Sequence, residues 1–361
     1  MKMTLRWYGA QMDPIPLRYI RQIPGITGVV SSLMDVPVGE TWPYERIAAL
    51  KEEVNSAGLE LKVIESVNVH EDIKLGSASR DLYIENYMNT LKNLSRAGIK
   101  VVCYNFMPVF DWTRSELAKE LPDGSTVLSY DKNIINRIGD PQEFVRQIQK
   151  DTANFEMPGW EPARLSELKT LFQRYESITQ SDLMKNLKYF LEAIIPLAAE
   201  LDIKMAIHPD DPPWNIFGLP RIATGKEQFD AIIDLVDSPY NGITLCSGSL
   251  GADPQNDIPY IVRYFGKKKR IHFAHIRNIK ILAPGIFDEA SHLSSDGSLD
   301  MFEIMKAYHE IGFAGYARPD HGRMIWGEKG RPGYGLYDRA LGATYLNGLW
   351  EALQKTGEKS H

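Results

Sequence analysis

Eight short β-rich runs recur along this chain, at residues 5–8, 27–30, 59–67, 100–106, 204–208, 242–246, 270–275 and 315–318. Between them lie amphipathic stretches at 44–57, 82–97, 181–200, 226–236, 301–311 and 336–354, where apolar residues return at helical spacing. Leu187, Phe190, Leu191, Ile194, Ile195 and Leu197 carry that period clearly. Strands that alternate with helices pair in parallel through helical crossovers, and eight such units argue for closure into a barrel. The expected fold class is therefore α/β, a (β/α)8 TIM barrel with residues 1–361 as one domain. A doubly wound dinucleotide-binding sheet is the structural rival. It fits less well, because no strand leads into a G-x-G-x-x-G turn.

One interval breaks the rhythm. Residues 111–181 separate the fourth strand from its helix, and they include Trp112, Pro122-Asp123-Gly124 and Pro158-Gly159-Trp160. Helical stretches near 141–152 and 166–175 make this a helical insertion after strand 4. An insertion of this size leaving the catalytic face is either a lid or a surface or oligomer-contact excursion. Residues 356–361 read as a frayed tail.

Charge and cysteine usage narrow the function classes. A net charge of −6 offers no basic footprint for nucleic acid, so a small-molecule partner is the better expectation. Two cysteines in 361 residues are too few for a disulfide framework, which points to a reducing cytoplasm. The first nine residues lack an apolar signal core, and no stretch approaches the ~18 apolar residues of a membrane span. A soluble, unprocessed protein is expected.

Four strand-like runs end on a metal-ligand residue: His208, Cys246, His275 and Asp320, spaced 38, 29 and 45 residues apart. Each interval is about one strand-plus-helix unit. In a parallel barrel the strand C-termini converge on one mouth, so four consecutive strands deliver four neighbouring ligands. Two imidazoles, a thiolate and a carboxylate suit a borderline divalent ion such as Mn, Fe, Co or Zn better than the all-oxygen ions Mg and Ca. Singly, each residue is more commonly a buried hydrophobe or a hydrogen-bonded histidine. The shared position at strand ends is what raises the joint reading. His272 competes with His275, but three residues apart on a strand they face opposite sides, and His275 lies nearer the mouth. His321, next to Asp320, is placed to be a general acid or base. Tyr334, in the loop after the last strand, can present its phenol to the same site.

These motifs resemble those of the mannonate dehydratase family. The resemblance rests on Arg6-Trp7-Tyr8-Gly9, on Ile64-Glu65-Ser66 leading to Val69-His70-Glu71-Asp72-Ile73-Lys74, and on Val102-Cys103-Tyr104-Asn105-Phe106-Met107-Pro108-Val109. Asp111-Trp112-Thr113-Arg114, His208-Pro209-Asp210-Asp211-Pro212-Pro213, Gly218-Leu219-Pro220-Arg221-Ile222, Glu289-Ala290-Ser291-His292-Leu293 and Arg318-Pro319-Asp320-His321-Gly322 extend it over nearly the whole chain. It implies a xylose-isomerase-like (β/α)8 barrel that dehydrates D-mannonate to 2-dehydro-3-deoxy-D-gluconate in hexuronate catabolism. It further implies one Mn2+ or Fe2+ on His208, Cys246, His275 and Asp320, catalysis by His321 and Tyr334, and a homo-oligomer, dimer or tetramer. Arg6, Trp7, His70, Tyr104, Asn105, Asp111, Asp211, Arg277 and Asn278 lie at or just beyond strand ends and are the expected substrate contacts. Arg277 has an alternative, pairing with a metal-site carboxylate. Three rivals remain: a metal-dependent isomerase, disfavoured by the thiolate; a repair endonuclease, disfavoured by the charge; and a noncatalytic sugar-acid binder, which needs no acid-base pair.

Overall fold

Alternation of side chains along each strand separates a narrow barrel interior from a wide outer core. The computed structural model describes residues 1–149 and 167–357. Its first four strands are β1 (Lys2–Arg6), β2 (Ile26–Ser31), β3 (Glu60–Glu65) and β4 (Val101–Tyr104). After a hairpin, β5 (Glu116–Glu120) and β6 (Thr126–Asp131), come β7 (Lys204–Ile207), β8 (Asn241–Cys246) and β9 (Ile271–His275). A second hairpin, β10 (Ile279–Ala283) and β11 (Ile286–Glu289), precedes β12 (Tyr316–Arg318).

Eight of these strands form a closed barrel in the order β1-β12-β9-β8-β7-β4-β3-β2. Every pairing in it is parallel, as crossover helices require. These eight are the eight runs seen in the sequence. Val30, Val63, Val101, Cys103, Ala206 and Phe273 fill the interior as a cluster of their own. Their strand neighbours, such as Leu61, Val102, Met205 and Ile243, pack outward against the helices.

The helices follow the sequence periodicity closely. Helix Gln180–Glu200 opens with a capping box: Asp182 N donates to Thr179 Oγ1, and Thr179 N donates to Asp182 Oδ2, each at 3.2 Å. It buries Leu183, Leu187, Phe190, Leu191, Ile194 and Ile195 against the barrel. Helix Ile258–Lys267, not named from periodicity, supplies the crossover between β8 and β9 by burying Ile258, Ile261, Val262 and Phe265. The final helix, Tyr337–Gly357, runs through residues 356 and 357, where a frayed end was expected.

The insertion after β4 does contain helices, at Lys132–Ile138, Pro141–Gln149 and Leu168–Tyr175. It begins, however, with the β5–β6 hairpin, which the sequence reading passed over. That hairpin joins the second one in a four-stranded antiparallel sheet of order β10-β11-β6-β5. Tyr130 stacks on Phe287 across the seam, with ring centroids 5.7 Å apart. Pro158-Gly159-Trp160, residues 150–152, Ser166 and residues 358–361 lie outside the described residues.

Candidate active site at the barrel mouth

The strand ends bring the expected ligands together. His208, Cys246 and His275 each offer a ligand atom within 4.8 Å of the others. His208 Nδ1 lies 2.7 Å from Pro209 O, and since a carbonyl only accepts, Nδ1 carries the proton and Nε2 is the free lone pair. That lone pair faces His275 Nδ1 at 3.1 Å. Asp320 stands beside them, Oδ2 at 3.5 Å from Cys246 Sγ and Oδ1 at 3.7 Å from His275 Nδ1. Its φ of 56° is left-handed, a conformation costing about 1 kcal/mol that turns the carboxylate back to the mouth. His272 points elsewhere: its Nδ1–H donates to Met205 O at 2.8 Å, and burial lowers its pKa to about 4.

A buried ion-pair network braces this cluster. Arg114 grips Asp211 with two nitrogens at 2.8 and 3.0 Å and also donates to Glu289 at 2.8 Å. Arg277 donates to Asp320 at 2.6 Å, to Glu289, and to Asp211 at 2.9 Å. Gly248 permits this, because a Cβ there would lie 2.6 Å from the Arg277 guanidinium carbon. Arg318 donates to Glu65 at 2.9 Å and, through Nε, to His275 Nε2 at 3.0 Å, and it forms an ion pair with Asp320 at 2.7 Å. Burial alone would raise the carboxyls, but the arginines outweigh it and hold Asp211, Asp320 and Glu65 well below the usual carboxylate range. Against burial, Arg277, Arg114 and His321 bring Glu289 down to about 2. Ionised carboxylates and guanidiniums therefore neutralise one another, as buried charges must.

Beside the network, His321 Nε2 meets Tyr334 Oη at 2.9 Å, while His321 Nδ1 faces Glu289 Oε1 at 3.3 Å. An ionised carboxylate only accepts, so the Nδ1–H points to Glu289 and Nε2 accepts from the tyrosine. Burial among Tyr8 and carboxylates holds the Tyr334 phenol well above its ordinary pKa. It reaches the site as an O–H donor.

The expected substrate contacts divide into three groups. Arg6, Asn105, Asp111 and Asp211 line a small central pocket of about 30 Å³ together with His208, Asp320, His321 and Tyr334. His70 does not line it. This residue caps helix Glu71–Lys74 by accepting from Asp72 N at 3.1 Å, stacks on Tyr83, and borders a neighbouring cavity of about 470 Å³ that meets the central pocket at Arg6 and Ser66.

The third group does not line the pocket. Trp7 and Tyr104 face the helix layer, Trp7 donating to Ile15 O at 3.0 Å and Tyr104 packing on Phe190, because strand alternation sends them outward. Asn278 is a loop staple: Nδ2 donates to Leu293 O, and Oδ1 accepts from Ile279 N and Leu299 N. Arg277 is fully buried and committed to carboxylates, and both oxygens of Asp211 are held by arginines.

Glu65, Arg114, Glu289 and Arg318 were not singled out from sequence. They lay within the quoted motifs, but their roles depend on contacts 12 to 253 residues distant. Glu65, Cys103 and His275 make a second cluster of ligand atoms. Arg318 already occupies Glu65 and His275 Nε2 there, and burial raises the Cys103 thiol well above its usual pKa.

A parallel eight-stranded barrel whose mouth gathers two imidazoles, a thiol and a carboxylate beside a histidine–tyrosine pair is a (β/α)8 TIM barrel with a candidate metal site at its mouth. A Mycobacterium smegmatis protein described as a xylose isomerase-like TIM barrel, 13% identical, superposes with a TM-score of 0.53 over 98% of this chain and 97% of its own, a likeness of fold alone. Within that class the chain belongs to the D-mannonate dehydratase (UxuA) family, whose profile matches residues 1–360. The mannonate dehydratase of Thermotoga maritima is 59% identical over 355 residues, covering 98% of each chain. That of Geobacillus thermodenitrificans is 60% identical, covering 99% of this chain and 96% of its own. The crystal structure of mannonate dehydratase from Streptococcus suis serotype 2 matches with a TM-score of 0.89 and 48% identity, covering 99% of this chain and 96% of that one.

Proposed function

We propose that this chain is a divalent-metal-dependent hydro-lyase that converts D-mannonate to 2-dehydro-3-deoxy-D-gluconate in hexuronate catabolism. The observation that carries the reading is the 2.9 Å contact of His321 Nε2 with Tyr334 Oη, set beside the His208, Cys246, His275 and Asp320 cluster. Family membership over the whole chain supports it.

The residues present fit a cation. His208 Nε2 is a lone pair oriented by the Pro209 carbonyl, and His275, Cys246 and Asp320 surround the same point. This mixed nitrogen, sulfur and oxygen set favours Mn2+ or Fe2+ over calcium or magnesium. Once bound, such a cation supplies Lewis acidity that stabilises charge growing on the sugar-acid carboxylate.

His321 and Tyr334 divide two proton transfers. One removes the proton from C2, the other protonates the departing 3-hydroxyl, and the resulting enol ketonises to the 2-keto acid with loss of one water. Glu289 holds the imidazole in the tautomer whose Nε2 faces the reaction. Arg6, Asn105 and Asp111 are the pocket residues left to bind the polyol.

The same reading takes residues 1–361 as one barrel domain with 111–181 as its insertion, in a homodimer or homotetramer. Among the described residues no helix is long and apolar enough to cross a membrane, and both cysteines are free thiols, which supports a cytoplasmic setting. The test is to strip the protein of metal, restore Mn2+, incubate with D-mannonate and assay the 2-keto-3-deoxy acid as its semicarbazone. Metal-dependent product is expected. No product with any divalent ion would overturn the reading.

A further inference from the structure

Resting on that metal reading, we propose that Glu65 is the positioning residue for His275, its Oε2 accepting the His275 Nε2–H when a cation takes Nδ1. Glu65 is the last residue of β3, and β3 is not among the four strands that end in ligands. Oε1 is occupied by Arg318 at 2.9 Å, whereas Oε2 is buried and has no hydrogen-bond partner among the described residues. This unused oxygen lies 3.5 Å from His275 Nε2. A buried carboxylate oxygen left without a donor is costly, which marks it as waiting for one.

The proton count on His275 identifies that donor. Arg318 Nε–H points at His275 Nε2 from 3.0 Å, and an arginine cannot accept, so without a cation Nε2 is bare and the proton sits on Nδ1. There it donates to the His208 Nε2 lone pair at 3.1 Å. A cation that takes Nδ1 needs that position free of its proton. The neutral ring then carries its one proton on Nε2, facing Arg318 Nε–H donor against donor, and Glu65 Oε2 is the acceptor within reach. Loading thus moves the hydrogen on the ring from Nδ1 to Nε2, with His275 neutral before and after. Carboxylates behind ligating histidines orient the ring and raise its basicity, and their loss weakens metal binding by about 10–100-fold.

The test uses the full chain and Co2+ as probe, titrating into metal-stripped wild type and Glu65→Gln and following the thiolate-to-cobalt absorption. Glutamine keeps an oxygen for Arg318 but turns an N–H2 donor toward His275 Nε2, so the Kd for Co2+ should rise about 10–100-fold in variant protein that circular dichroism shows to be folded. A Kd within about threefold of wild type overturns the proposal for Glu65 and leaves the metal site standing. Failure of the wild type to bind Co2+ overturns both. Should Glu65→Gln not fold, 15N-histidine spectra of wild type decide: the proton of His275 is expected on Nδ1 in metal-free protein and on Nε2 in 113Cd-loaded protein. Cadmium coupled to Nε2 of His275 would refute it.

Discussion

His208 and His275 confront each other across the barrel mouth, Nε2 to Nδ1 at 3.1 Å, and each ring is held from behind by the group on its other nitrogen. Cys246 offers its sulfur within 4.8 Å of both ligand nitrogens, and a cation held by the three would need the proton between the rings to leave His275 Nδ1. Cys246→Ser should therefore cost more than loss of an orienting neighbour, lowering metal affinity by more than about 100-fold with the fold retained. Metal content after dialysis checks this, and full occupancy in the variant would remove Cys246 from the ligand set.

His321→Asn should lower kcat by about 10²–10⁴ while metal content stays at the wild-type level. A rate within about tenfold of wild type would end its assignment as acid or base.

Tyr334→Phe deletes only the oxygen that donates to His321 and should reduce kcat by about 10² or more with little change in KM. Because the pair works as a unit, the double variant should be no slower than the worse single variant by more than a few-fold. Multiplicative losses would indicate independent roles.

Arg114→Met leaves Asp211 and Glu289 with one guanidinium fewer in a buried setting. Breaking such a network costs about 3–5 kcal/mol, to be read from urea unfolding. A loss under about 1 kcal/mol would show that solvent or Arg277 compensates.

Metal-free protein should lose stability as the pH falls below about 6.5. Burial lowers the pKa of His208, His272 and His292 from 6.5, and His272 comes down to about 4. The unfolded chain takes up protons that the folded state refuses, so the stabilisation is complete above 6.5 and is lost as the pH drops through about 4. His272 alone contributes a slope of at most ~1.4 kcal/mol per pH unit in that window. His272→Gln should remove that share, and an unchanged slope would contradict it.

What was legible in the sequence followed short-range rules. Strand alternation with helical crossovers revealed the barrel, and the recurrence of His208, Cys246, His275 and Asp320 at strand ends revealed the cluster. Parity explains His272 against His275. The same parity, applied to Trp7 and Tyr104, would have sent both outward, but strand ends blur the inside–outside assignment when the last paired residue is unknown. Asn278 looked available because polar residues after a strand usually are, and only the folded contacts reveal Leu293 and Leu299 as its partners. For Arg277 a carboxylate partner was the stated alternative to substrate, and the contact with Asp320 is of that kind, while Glu289 was not foreseen. The β5–β6 hairpin was missed because Glu116–Glu120 is rich in charge, with a single buried leucine, Leu117. Its strand character comes from pairing with β6.

That pairing ties together parts of the chain that evolution could otherwise alter separately. The four-stranded sheet takes one hairpin from the segment after β4 and the other from the segment after β9, and β6 and β11 pair antiparallel with Asp131 opposite Ile286, Tyr130 opposite Phe287 and Ser129 opposite Asp288. The two excursions are one structural unit. Exchange of the 111–181 segment alone between relatives would strand β11 with an open edge, while exchange of both would preserve the graft.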